Sequence, residues 1–109
     1  MTENKASEPL EAGENQEGTE EPSYQKKFEY LLVDIVSNVV EKQGGSHSAF
    51  GKEVFGAHSG IKIWLNCRKH RRDVTVAEAM KMAEVIGTDL PDLVWKVTKE
   101  AKDLDIISK

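Results

Sequence analysis

Cys67 and His70 stand in a C-x-x-H spacing, with His47 and His58 upstream. Thiolate and imidazole nitrogen are the ligands of structural zinc, which takes four of them in two closely spaced pairs. Only one such pair exists in this chain. His47 and His58 fall on what read as separate elements, so the set does not match a zinc site. The same pair could supply a nucleophile and a base, but no third group is spaced to orient the base. No metal, cofactor, small-molecule substrate or enzymatic activity is expected. Cys67 is the one cysteine, so no intramolecular disulfide can form.

What this stretch does carry is positive charge. Residues 42–72 hold Lys42, Lys52, Lys62, Arg68, Lys69, Arg71 and Arg72 against Glu53 alone, in a chain of 109 residues with net charge −4. Residues 1–22 hold seven glutamates and one lysine. A basic stripe sets the field within a Debye length, roughly 8–10 Å, whatever the total charge, and a polyanion is the partner it suits. A cationic run alone is most often a solvated face, so the elements that position it must decide.

Those elements read as helices. Residues 1–22 contain Leu10 as their only large aliphatic besides Met1 and form an expected disordered acidic tail, either plain solvation or a competitor for the stripe. From Tyr24, the spacing of Phe28, Leu31, Leu32, Ile35, Val36, Val39 and Val40 predicts a long first helix that stops at Gly44-Gly45. Ser46 or Ser48 caps a second, with Ala49, Phe50, Val54 and Phe55 as its apolar face. A third carries Ile61, Trp64 and Leu65 on one face, with Lys62, Asn66 and Lys69 on another. After the basic loop HRRD, Thr75 and Glu78 form a capping box, and the stripe Val76, Ala79, Met80, Ala83 and Ile86 predicts a fourth helix. A fifth opens at Thr88 or Asp89 with Pro91 in its first turn, and is expected to bury Leu90, Leu93, Val94, Val97 and Ala101. The expectation is an all-α, five-helix domain over 23–103, preceded by the 1–22 tail and followed by a short C-terminal segment, 104–109. No apolar run is long enough to span a bilayer and no secretory h-region follows the start, so a soluble, cytoplasmic protein is expected.

Two short helices about a tight turn, the second with a polar, basic outward face, form the helix-turn-helix pattern. The segments SAFGKEVFGAHSGIKIWLNCRK and TVAEAMKMAEVIGTDLPDLVWKV resemble the lambda-repressor-like helix-turn-helix family, including Cro and CI type regulators of phages and prophages. The resemblance covers roughly 28–98. Phe50-Gly51 match the family's apolar residue followed by a small one at which the two helices approach. Ile61 and Trp64 match its buried residues of the recognition helix, and AEAMKMAEVIGTDLPDLV its fourth helix, polar turn and apolar helix. Where members often carry glutamine early in the recognition helix and an acidic residue after the tryptophan, this chain has His58-Ser59 and Leu65. Gly56 sits one residue later than the family's turn glycine, which leaves the helix register open by one.

The resemblance implies sequence-specific binding of double-stranded DNA by a transcriptional regulator, a repressor of phage or prophage type. His58, Ser59, Lys62 and Asn66 are then the base-reading candidates, Lys62 suiting guanine and Asn66 adenine. Ser46, His47 and Ser48 at a helix start, with Arg68, Lys69, Arg71 and Arg72, are the phosphate candidates. Trp64 reads as core. Trp95, off the stripe of its helix, is either rim packing or, with Leu104, Ile106 and Ile107, a homodimer interface. The alternative function is a protein-interaction adaptor whose basic stripe meets an acidic partner.

Overall fold

The computed structural model describes residues 22–104. The expected tail, apart from Pro22, and Ile106 and Ile107 lie outside the described residues. The order is α1 (Tyr24–Lys42), α2 (His47–Phe55), α3 (Gly60–Arg68), α4 (Val76–Val85) and α5 (Leu90–Asp103), with no strand among the described residues. Among them, no helix is long and apolar enough to cross a membrane.

The helix starts follow their capping chemistry. Ser23 Oγ accepts from the Lys26 amide, and Ser46, rather than Ser48, accepts from Ala49 N–H at 2.9 Å. Thr75 and Glu78 close the capping box in both directions, at 3.1 and 3.0 Å. Asp89, not Thr88, caps α5, with Pro91 in its first turn, where no intrahelical donor is needed. α1 ends through Gly44, whose φ of 78° a side chain would resist. Gln43 then donates to the Ile86 carbonyl at 3.0 Å, tying the end of α1 to the end of α4.

One apolar core runs through all five helices. Val33, Val36 and Val40 of α1 meet Phe50 of α2, Trp64 and Cys67 of α3, Met82 and Ala83 of α4, and Leu93 and Val97 of α5. α2 packs most extensively on α3, and α1 on α5. The stripes of α4 and α5 depart in part from the sequence expectation. In α4 the buried row is Ala79, Met82, Ala83 and Ile86, while Val76 and Met80 are 69% and 54% exposed. Both rows satisfy helical periodicity, and the one containing Met82 faces the core. In α5, Leu93, Val97 and Ala101 are buried, Leu90 is half-buried, and Val94 is exposed at the edge of the row.

Candidate nucleic-acid interface

The second and third helices meet backbone to backbone. A Cβ on Gly51 would lie 2.6 Å from the Gly60 carbonyl oxygen, and one on Gly60 2.3 Å from that of Gly51. Real Cβ atoms do not come so close to backbone, so the crossing requires glycine on both sides. Gly51 matches the expected small residue; Gly60 supplies the other half of the contact. This contact sets how α3 is turned about its axis. Gly60, Trp64 and Cys67 form its buried row, with Ile63 half-buried. The expected row of Ile61, Trp64 and Leu65 is therefore corrected: Ile61 is 45% and Leu65 37% exposed.

Trp64, fully buried, is the anchor of α3. Its ring packs 4.7 Å from that of Phe50, and its Nε1–H donates to His47 Nδ1 at 3.1 Å. His47 Nε2 lies 2.8 Å from a Glu41 carboxylate oxygen. Both ring nitrogens of His47 are thus engaged within the protein, and this residue, expected at phosphates, instead links α1, α2 and α3. Ser46 is similarly occupied as the cap of α2, whereas Ser48 is exposed beside it.

The remaining candidates divide by exposure. Lys62 is exposed on the outer side of α3, Asn66 is half-buried one turn on, and His58 and Ser59 are exposed in the connection before the helix. At 100° per residue, Lys62, Leu65 and Lys69 point most directly away from the Gly60–Trp64–Cys67 row, flanked by Ile61 and Asn66. Lys52, Lys62, Lys69 and Arg71 are exposed and make no ion pair with another described residue. Arg68 is half-buried, its guanidinium carbon 6.0 Å from the Trp64 ring centroid. α3 itself contains no carboxylate.

The loop after α3 is locked from several sides. His70 has φ 61°, a left-handed conformation that costs a non-glycine residue on the order of 1 kcal/mol or more. Its ring stacks on Tyr30 at 4.1 Å and 7°, and its Nε2 lies 3.1 Å from Asp34 Oδ1. The Val74 amide donates to Glu29, and Lys26 pairs with Asp73, so the loop is fastened to the start of α1. Arg72 is also committed. Its guanidinium forms two parallel bonds to Glu78, both 3.0 Å, and lies over the Phe55 ring. The Glu78 carboxylate pushes the Arg72 pKa up, and Arg72 is the main cause of the lowered Glu78 pKa. Arg72, expected at phosphates, is thus paired within the fold, and Arg71 is the exposed arginine of the loop. The sequence signal for this pair was present: the capping box fixes the Glu78 carboxylate beside the residues just upstream, and Arg72 bonds both of its oxygens, sharing Oε1 with the Thr75 amide.

Cys67 is buried, and burial pushes its thiol pKa up. Among the described residues, no three His, Cys, Asp or Glu side chains come together as a metal site. Away from α3, Trp95 is 63% and Leu104 55% exposed. Trp95 borders an open groove of about 600 Å³ with Val39, Ile86, Lys96 and Lys99. No protein-family model, curated protein or solved structure matches the chain.

Proposed function

We propose that this chain is a lambda-repressor-like helix-turn-helix protein that binds specific sites in duplex DNA with α3 in the major groove. The proposed role is a transcriptional regulator, a repressor of phage or prophage type. The observation that carries this reading is the α2–α3 pair. Two short helices are held at glycine-to-glycine contact, and the outward face of the second, with the loop after it, offers Lys62, Lys69 and Arg71 without a carboxylate partner among the described residues. Duplex DNA carries about one charge per 1.7 Å, and cations left unpaired in the fold are what it can use.

Roles divide by position. Lys52, Lys69 and Arg71 bind phosphates and set the register, while Lys62, with Asn66, His58 and Ser59, lies where base edges are read. Ser48 and the start of α2 offer a further phosphate contact. The exposed Trp95 on the outer side of α5 seats a second copy.

Selection of bound sites from a random duplex pool tests the reading. A dimer should select an inverted repeat with half-sites about 10–10.5 bp apart or a multiple. Lys62→Ala should relax choice at one or two base pairs, at a cost of about 1–3 kcal/mol on the preferred site. Arg71→Ala should weaken all sequences alike. A pool that yields no consensus, or a consensus unchanged in Lys62→Ala, counts against it.

A further inference from the structure

We propose that Ile61 and Leu65 recognise the C5-methyl groups of thymine, so that the chain's preferred site is defined by thymines beside a guanine. The inference rests on the DNA-binding reading above and specifies what that site recognises. Because the Gly51–Gly60 contact turns α3, these two aliphatic side chains stand exposed one helical turn apart rather than in the core. Single exposed aliphatics are ordinary on a protein surface. Here, however, Leu65 shares the outward face with Lys62 and Lys69, and Ile61 lies beside it at the edge of that face, on a helix with no carboxylate.

That combination is complementary to one chemistry. In the major groove, the thymine methyl is the only apolar group on any base edge, and it lies alongside hydrogen-bonding atoms and between two rows of phosphates. Lys69 supplies charge toward the phosphates. Lys62, a donor without acceptor capacity, suits guanine O6 and N7. Ile61 and Leu65 can form no hydrogen bond, so any contribution they make to base choice must come through methyl contact. An apolar protein surface would also accept two aliphatics. It would leave the unpaired cations beside them without a counter-charge, which is why duplex DNA is the occupant favoured by the charge pattern.

The test uses the full chain and its selected duplex, with each thymine replaced in turn by deoxyuridine, which removes the methyl and leaves base pairing intact. Binding is read by fluorescence anisotropy. The native protein should weaken about fourfold at one or two positions, the factor corresponding to ~0.8 kcal/mol per apolar carbon buried. Ile61→Ala should become indifferent to the methyl at one of these positions and Leu65→Ala at another. Equal binding of thymine and deoxyuridine duplexes by the native protein at every position overturns the proposal, as does sensitivity that persists in both variants. Should either variant fail to fold, the native comparison still decides. If the native protein prefers no sequence and binds no duplex, the DNA-binding reading falls as well, whereas firm sequence preference without methyl dependence overturns this inference alone.

Discussion

Replacing Gly60 by alanine puts the geometry of the α2–α3 crossing to a quantitative test. The added Cβ would lie 2.3 Å from the Gly51 oxygen, 2.8 Å from its carbonyl carbon and 2.9 Å from the Lys52 Cα. Carbon ordinarily meets a carbonyl oxygen at about 3.3 Å or more, so the two helices must part by about 1 Å. All three neighbours are backbone, which no rotamer change can move. Overpacking of this kind costs roughly 1–3 kcal/mol. Removing a helical glycine returns up to about 1 kcal/mol, and less at the first residue of a helix. The net expectation is a loss of about 2 kcal/mol, which lowers Tm by roughly 8–16 °C in a domain of this size. Urea and thermal unfolding followed by circular dichroism measure it. Gly45→Ala is the control, because its nearest neighbour is 3.5 Å away, and it should stay within about 0.5 kcal/mol of the native protein. A Gly60→Ala variant as stable as native would refute the glycine contact and with it the turn of α3 that exposes Ile61 and Leu65.

The Arg72–Glu78 pair predicts a pH dependence. Arg72, then the Thr75 amide, holds the Glu78 carboxyl below its ordinary value of 4.5. A lowered carboxyl pKa contributes stability that is present above the ordinary value and lost as pH falls through the lowered one. The stability gap between native and Glu78→Gln should be on the order of 1 kcal/mol near neutral pH and close on acidification; a gap that persists in strong acid contradicts the pairing. His47→Leu leaves the buried Trp64 N–H without its acceptor and should cost about 1–3 kcal/mol by urea titration, with His47→Gln recovering part; equal losses in the two would remove the hydrogen bond from the account. Deleting residues 1–22 should tighten binding to random duplex at low salt, with the gain shrinking as salt rises, because seven glutamates against one lysine compete electrostatically with the polyanion. Unchanged binding at low salt would reduce the tail to solvation.

The helices were legible because their punctuation is local. Ser23, Ser46, Thr75 with Glu78, and Asp89 act within one turn, so α1, α2, α4 and α5 begin where their caps place them, whereas α3 starts without a side-chain cap. Which face of a helix turns inward was less legible, because it depends on partners distant in the chain. In α4, Met80 and Met82 are interchangeable on hydrophobicity alone. In α3, apolar character favours Ile61 for the interior, yet the space at the crossing admits only Gly60, so a residue without a side chain takes the inner position. The cations followed the same division. Run length does not separate Arg71, exposed, from Arg72, neutralised by Glu78 across the loop, and His47 and His70 are engaged by Trp64 and Tyr30, which no spacing rule connects to them.

On the proposed reading, the cations left unpaired around α3 bind duplex DNA. The most direct measurement is the affinity of the full chain for a random-sequence duplex across a salt series. Lys52, Lys62, Lys69 and Arg71 are the exposed cations without an ion-pair partner among the described residues between α2 and the loop after α3. At about −0.9 per phosphate neutralised, the three assigned to phosphates, Lys52, Lys69 and Arg71, predict a slope of log K against log salt of about −3 per protomer, flattened by about one unit in Arg71→Ala. A protein whose cations meet an acidic protein instead would show negligible affinity for the duplex at low salt and a flat line, and that result would contradict the account.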